Sequence, residues 1–161
     1  MWVVDPVEGE GVDERIRALG EPAGVLVLLD RHRRDSDAFA SRHGVPLHET
    51  PFGGVDGAPF EFRRIMRNRF WREVALWWPE RRVLLAADAL GSLGYFVAPR
   101  EPLGVHPLLR LVPPRRALAG IEPEHVLVGH GDGVHGSPAA AALHAALRTA
   151  RTGVVRLVTR R

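Results

Sequence analysis

The sequence predicts an α/β fold, and three observations carry it. Short apolar runs alternate along the chain with stretches of helical periodicity, the alternation that builds a sheet flanked by helices. One run, Val25 to Leu29, is apolar at every position between Gly24 and Asp30, as a strand covered on both faces must be. The runs also end in polar or glycine-rich sequence, at Asp30 to Ser36, at Asp88 and at Gly129-His130-Gly131, so chemistry-bearing residues fall at strand ends.

The elements follow in order. Trp2 to Val4 is a short strand closed by Asp5-Pro6. Val12, Ile16 and Leu19 share one face of a helix that stops at Gly20. After the Val25–Leu29 strand, Asp35 or Ser36 caps a helix running through Phe39 to His43 and ending at Gly44. Val45-Pro46-Leu47 reads as a short strand, its proline placing it at an edge. The middle, from Phe52-Gly53-Gly54 through Pro59, reads as loop. Arg72 to Trp78 and Val83 to Ala87 form a hairpin around Pro79 to Arg82. Trp77 and Trp78 point to opposite faces of its first strand, one into the core. Pro114 to Leu118 is expected as a short helix ended by Gly120. His125 to Val128 is a late strand, and Ser137-Pro138 opens an alanine-rich helix to about Arg151. Residues 152–161 read as a tail to a single domain spanning 1–161.

Composition narrows the function classes. A chain of 161 residues, 45% hydrophobic and 25% charged, has the balance of an ordinary globular domain. It has no cysteine, which excludes disulfides, thiolate metal sites and cysteine nucleophiles. No leader-like segment and no apolar run near 20 residues is present, so the expectation is a cytoplasmic protein without membrane contact. The pI of about 10.7 would flag nucleic-acid binding, but the net charge is only +3. All 22 basic residues are arginine, which looks like GC-rich codon choice and raises the pI because guanidinium holds its proton to high pH. No nucleic-acid partner is expected.

At the strand ends, Asp35, Asp88 and His130 offer carboxylate and imidazole, the donors from which a zinc, iron or manganese site is built. Each also has an ordinary reading: Asp35 as a helix cap, Asp88 as the start of a turn, His130 as a loop histidine between glycines. The run Arg31, Arg33, Arg34 reads by itself as a solvated turn.

Their order along the chain resembles the metallo-β-lactamase-like hydrolases. In that family a buried strand ends in H-x-H-x-D-H and enters a helix. Here Asp35 matches the aspartate, while Arg31, Arg33 and Ser36 stand at the histidine positions. A later histidine, in a loop before a hairpin, corresponds to the region Met66 to Arg69, with Arg69 in its place. Val83 to Asp88 is similar to the strand ending in the bridging aspartate, and Val126 to Gly131 to the strand ending in the last histidine. The resemblance covers roughly residues 1–150 and implies an αβ/βα sandwich, shortened at its amino end, with a degenerate metal site.

A guanidinium cannot ligate a metal. The arrangement therefore implies that Arg31, Arg33 and Arg69 replace the metal charge, pair with Asp35 and Asp88, and bind a small anion such as phosphate or carboxylate in an arginine-lined pocket, with no cofactor. Two alternatives stay open. One is a metal-dependent hydrolase of ester, thioester or phosphoester substrates on a reduced ligand set of Asp35, Asp88 and His130, recruiting His32 or His48. On the alternation of the motif His32 points away and reads as a surface turn residue. The other is an interaction protein forming a homodimer through an open sheet edge.

Overall fold

A computed structural model describes residues 1–97 and 99–152. The structure is α/β, as expected, with two main sheets and three α-helices among the described residues. Strands β1 (Trp2–Val4), β2 (Gly24–Val27) and β3 (Leu47–Glu49) form a parallel sheet in the order β1-β2-β3. Helix α1 (Val12–Leu19) connects the first pair, and α2 (Ser36–His43) the second. The second sheet has the order β10-β9-β6-β5-β4. It comprises β4 (Glu61–Arg67), β5 (Arg72–Trp78) and β6 (Val83–Ala86), joined antiparallel, then β9 (His125–Val128) parallel to β6, and β10 (Val134–His135) antiparallel to β9. Between them, β7 (Leu90–Gly91) and β8 (Gly104–Val105) make a two-stranded ribbon, and α3 (Pro138–Thr149) follows β10.

The Val25–Leu29 run explains how the two sheets meet. Val25, Leu26, Val27 and Leu29 have no exposed surface, and burying each such side chain is worth about 1.5–3 kcal/mol. Regular pairing with β1 and β3 stops at Val27, so β2 is shorter than the apolar run. Leu28 and Leu29 cross to the other sheet, where Val74 N–H donates to Leu28 O at 2.9 Å and Leu29 bridges Glu73. The carboxyl ends of both sheets are thereby drawn together.

Four expectations are corrected. The stretch after Pro59, given no strand from the sequence and read by resemblance as loop at Met66 to Arg69, contains β4, which pairs along the length of β5. The helix expected at Pro114–Leu118 is a turn, held by a Leu118 N–H to Pro114 O bond and ended by Gly120 with a left-handed backbone (φ 72°). Neither Asp35 nor Ser137 caps its helix through its side chain. The proline-marked edge is right in kind, but β3 begins at Leu47, after Pro46, whose carbonyl accepts from Val25 N–H. Residues 153–161, which include most of the expected tail, lie outside the described residues. Among the described residues no helix is long and apolar enough to cross a membrane.

Candidate metal centre

Four strand ends deliver the site. Beyond β2, Leu29 enters a tight turn over Asp30–His32, closed by His32 N–H to Leu29 O at 2.8 Å. An extended chain would alternate its side chains. The turn breaks that alternation and swings His32 inward, where it is 5% exposed. Asp5 follows β1 with a left-handed backbone (φ 44°) and accepts Leu28 N–H on Oδ1 at 2.9 Å. Its Oδ2 takes the Nδ1 proton of His32 at 3.1 Å. Asp88 follows β6, and its Oδ1 lies 3.1 Å from His32 Nε2 and 3.2 Å from Nε2 of His130, which follows β9.

Gly129 makes the last approach feasible. Its N–H bonds the carbonyls of Ala86 and Ala87, and a Cβ there would sit 2.9 Å from Ala87 O and 3.4 Å from His32 Cε1. Only a residue without a side chain lets β9 deliver His130 against β6.

The donor atoms of His32, Asp88 and His130 all lie within 4.8 Å of one another. Both imidazoles are at ion-pair distance from Asp88 Oδ1. Apart from these two imidazoles, this buried oxygen has no partner among the described residues. The Asp5 carboxylate first, and Asp88 second, favour the imidazolium of His32 over its burial and raise its pKa to about 9. Burial works to raise the Asp88 pKa, but the interaction with His32 outweighs it and leaves the carboxyl below its ordinary value.

Behind the cluster sits Glu73, fully buried. Its Oε1 accepts the backbone N–H groups of Asp88 (3.1 Å) and Ala89 (2.9 Å), and its Oε2 accepts Trp71 Nε1–H at 2.7 Å. These bonds fix the backbone that carries Asp88. Burial pushes the Glu73 carboxyl up to about 7 despite them.

A groove of about 410 Å³ opens beside Asp88, lined also by Arg31, Asn68, Trp71, His106 and the exposed Phe70 and Leu108. Burial lowers the pKa of His106, so it faces the groove as a neutral ring. Arg31 is held by its stack on Trp71, 4.5 Å from the ring centre, and by donation to Phe70 O at 3.1 Å.

The residues singled out from the sequence divide accordingly. The structure brings Asp88 and His130 together. It does not bring Asp35 to them: that carboxylate accepts Glu8 N–H at 3.0 Å. His32, expected on the surface, occupies the third position. The arginine–aspartate network is not formed. Arg33 points outward to Asp37 and Glu49, which raise its pKa, and Arg69 lies over the exposed Phe70 ring. Of the three arginines only Arg31 lines the groove, with no ion pair to Asp88. His48 faces Trp2 on β3, away from the cluster. Asp5 and Glu73 were missed. Asp5-Pro6 read as a strand end, and Glu73 as one polar residue in a strand.

No protein-family model matches the sequence, and a search of curated proteins finds no match. Among solved structures the chain is similar to a rubredoxin oxygen:oxidoreductase from the anaerobe Desulfovibrio gigas, with 16% identity and a TM-score of 0.45. The match covers 96% of this chain and 44% of that one, so this chain spans less than half of its length.

Proposed function

We propose that this protein holds one divalent metal ion, zinc, iron or manganese, on His32, Asp88 and His130, and hydrolyses a small anionic ester, thioester or phosphoester in the adjoining groove. The observation that carries the reading is the convergence of two imidazole nitrogens, those of His32 and His130, on one buried carboxylate oxygen that has no other partner among the described residues. A buried carboxylate oxygen left in that state is costly, and a cation among these donors removes the cost. Contacts of 3.1 and 3.2 Å between donors are close to the roughly 3.3 Å expected between ligands of a tetrahedral zinc with bonds of 2.0–2.1 Å. Two histidines and one carboxylate are a catalytic rather than a closed structural set.

When bound, such an ion polarises a substrate oxygen and lowers the pKa of a coordinated water towards 7. The chain's own residues do the rest. Asp5 fixes the tautomer and plane of His32 by taking its Nδ1 proton, leaving Nε2 for the ion. Glu73 holds the Asp88 backbone in place. Arg31, stacked and always charged, orients a negatively charged substrate group at the groove wall. The element order supports the hydrolase class through its resemblance to the metallo-β-lactamase-like fold.

A second reading rests on the His32 ion pairs. His32 as imidazolium between Asp5 and Asp88 is itself a counter-ion, and the groove with Arg31 then serves as a metal-free anion pocket. One measurement separates the two. Untagged protein grown with zinc, iron and manganese, and purified without chelator, is analysed for metal by mass spectrometry beside His32→Ala, Asp88→Ala and His130→Ala. Close to one equivalent, lost in all three folded variants, is the expected result. Folded wild-type protein with less than about a tenth of an equivalent, and none gained on dialysis against zinc, overturns the metal reading in favour of the anion pocket.

A further inference from the structure

A second pair of histidines lies outside this centre. His125 opens β9 and His135 ends β10, and the two are register partners on adjacent antiparallel strands. Their Nδ1 atoms are 3.2 Å apart and their ring centres 5.3 Å. The backbone beneath them is pinned: Gly136 N–H donates to Glu124 O at 2.7 Å, and the neighbouring Val134–Val126 pair is buried. The rings thus face each other on a rigid platform, with His135 exposed to solvent.

The tautomers are also set. His135 Nε2 lies 3.1 Å from the carbonyl oxygen of Asp132. A carbonyl only accepts, so the proton of a neutral His135 is on Nε2, and Nδ1 carries a lone pair aimed at His125. This is the arrangement in which a metal-binding imidazole is usually held, its second nitrogen donating to a backbone oxygen. His125 Nδ1 then donates to His135, and a shift of that proton to its own Nε2 leaves two lone pairs converging. Donors 3.2 Å apart with bonds of 2.0–2.1 Å subtend roughly 100° at a metal, an ordinary angle for such ions.

We infer that His125 and His135 form a surface chelate for a borderline transition ion, Zn(II), Ni(II) or Cu(II), independent of the centre at His32, Asp88 and His130. Two imidazoles without carboxylate select these ions over magnesium or calcium, and the order of affinity for such nitrogen donors places Cu(II) first. The strand between the sites keeps them apart. His125 and His130 are five residues apart along β9 and its exit, on the order of 15 Å at the rise of a strand.

Isothermal titration of the untagged full chain with Ni(II) and Zn(II) at pH 7.5 tests the inference, using His125→Ala, His135→Ala and His130→Ala. His135 is exposed and His125 half-buried at the start of its strand, and far-ultraviolet circular dichroism of each variant checks that the fold is kept. The expected result is one equivalent, separate from the ion proposed for the first centre, whose affinity falls roughly tenfold or more in either variant of the pair and is kept in His130→Ala. As a readout on unmodified protein, substoichiometric Ni(II) should broaden the ring resonances of His125 and His135 together. Binding unchanged in either single variant, or broadening of only one of the two rings, overturns the chelate. Loss confined to His130→Ala would assign all the metal to the other centre.

Discussion

The charge state of His32 makes metal-free stability fall with pH in a defined window. A group whose folded pKa is raised contributes stability that is complete below its unfolded value and is lost as pH rises through the folded one. For His32 those values are 6.5 and about 9. At 1.36 kcal/mol per tenfold change in proton affinity, the full contribution is about 3 kcal/mol. About 2 kcal/mol of it disappears between pH 7.5 and 9.5. The depressed Asp88 carboxyl reports the same interaction from the other partner and adds nothing to this sum. The window is chosen to isolate His32. Glu73, raised from 4.5 to about 7, loses its contribution at lower pH, and the lowered His106 acts below 6.5 with the opposite sign. Tyr95 titrates above 10. Urea unfolding followed by tryptophan fluorescence in EDTA, with a slope of about 2 kcal/mol per molar, should show the midpoint falling by about 1 M from pH 7.5 to 9.5. His32→Gln, starting lower, should be flat across that interval. A wild-type midpoint that does not move, or one that moves equally in His32→Gln, refutes the ion-paired imidazolium.

Two substitutions test how the site is assembled. Asp5→Asn keeps an oxygen for Leu28 N–H and tolerates the left-handed backbone, but turns an amide N–H toward His32 Nδ1. The ring must then carry its proton on Nε2, where the metal lone pair is needed, and zinc affinity measured against a chromophoric chelator should drop roughly 10–100-fold. Unchanged affinity would mean that Asp5 does not orient His32. Gly129→Ala puts a methyl 2.9 Å from Ala87 O, so backbone must move; a loss of about 1–3 kcal/mol in the same urea assay is expected, together with weaker zinc binding. Wild-type behaviour in both would show that β9 can approach β6 without a glycine.

How much of this was legible in the sequence depends on which periodicity governs each residue. The strands from Val25, Arg72, Val83 and His125 were readable because uninterrupted apolar runs or a turn-bounded hairpin mark them whatever lies around them. Asp88 and His130 were readable for the same reason: each follows a clear strand. Strand β4 was not, because arginines at 63 and 64 stand where a buried strand would be apolar, and its pairing with β5 decides its structure. His32 reads from the sequence as a surface residue because side-chain alternation continued past Leu29 would turn it outward, whereas a tight turn over Asp30–His32 ends that alternation. Asp5 and Glu73 act through bonds to residues 27 and 15 or 16 positions away, and no local pattern marks a contact of that separation.

The charges around the centre argue against arginine as the successor to a metal. Asp5 and Asp88 bring two carboxylates to His32, and Glu73 lies immediately behind them, half ionised near pH 7. A group of this kind needs positive charge at its middle, within reach of Asp88 Oδ1. The three arginines expected to replace the metal are engaged elsewhere: Arg33 by Asp37 and Glu49, Arg31 by Trp71 and Phe70 O, Arg69 by the Phe70 ring. Among the described residues the chain brings two imidazoles to Asp88 Oδ1, those of His32 and His130, and the proton that His32 carries towards Asp88 occupies the nitrogen a metal would use. Proton and metal are therefore competitors for one position. On the proposed metal reading, metal affinity is expected to rise with pH towards 9 over the same interval in which the metal-free protein loses stability, because Asp5 already holds the His32 ring with Nε2 turned to the centre.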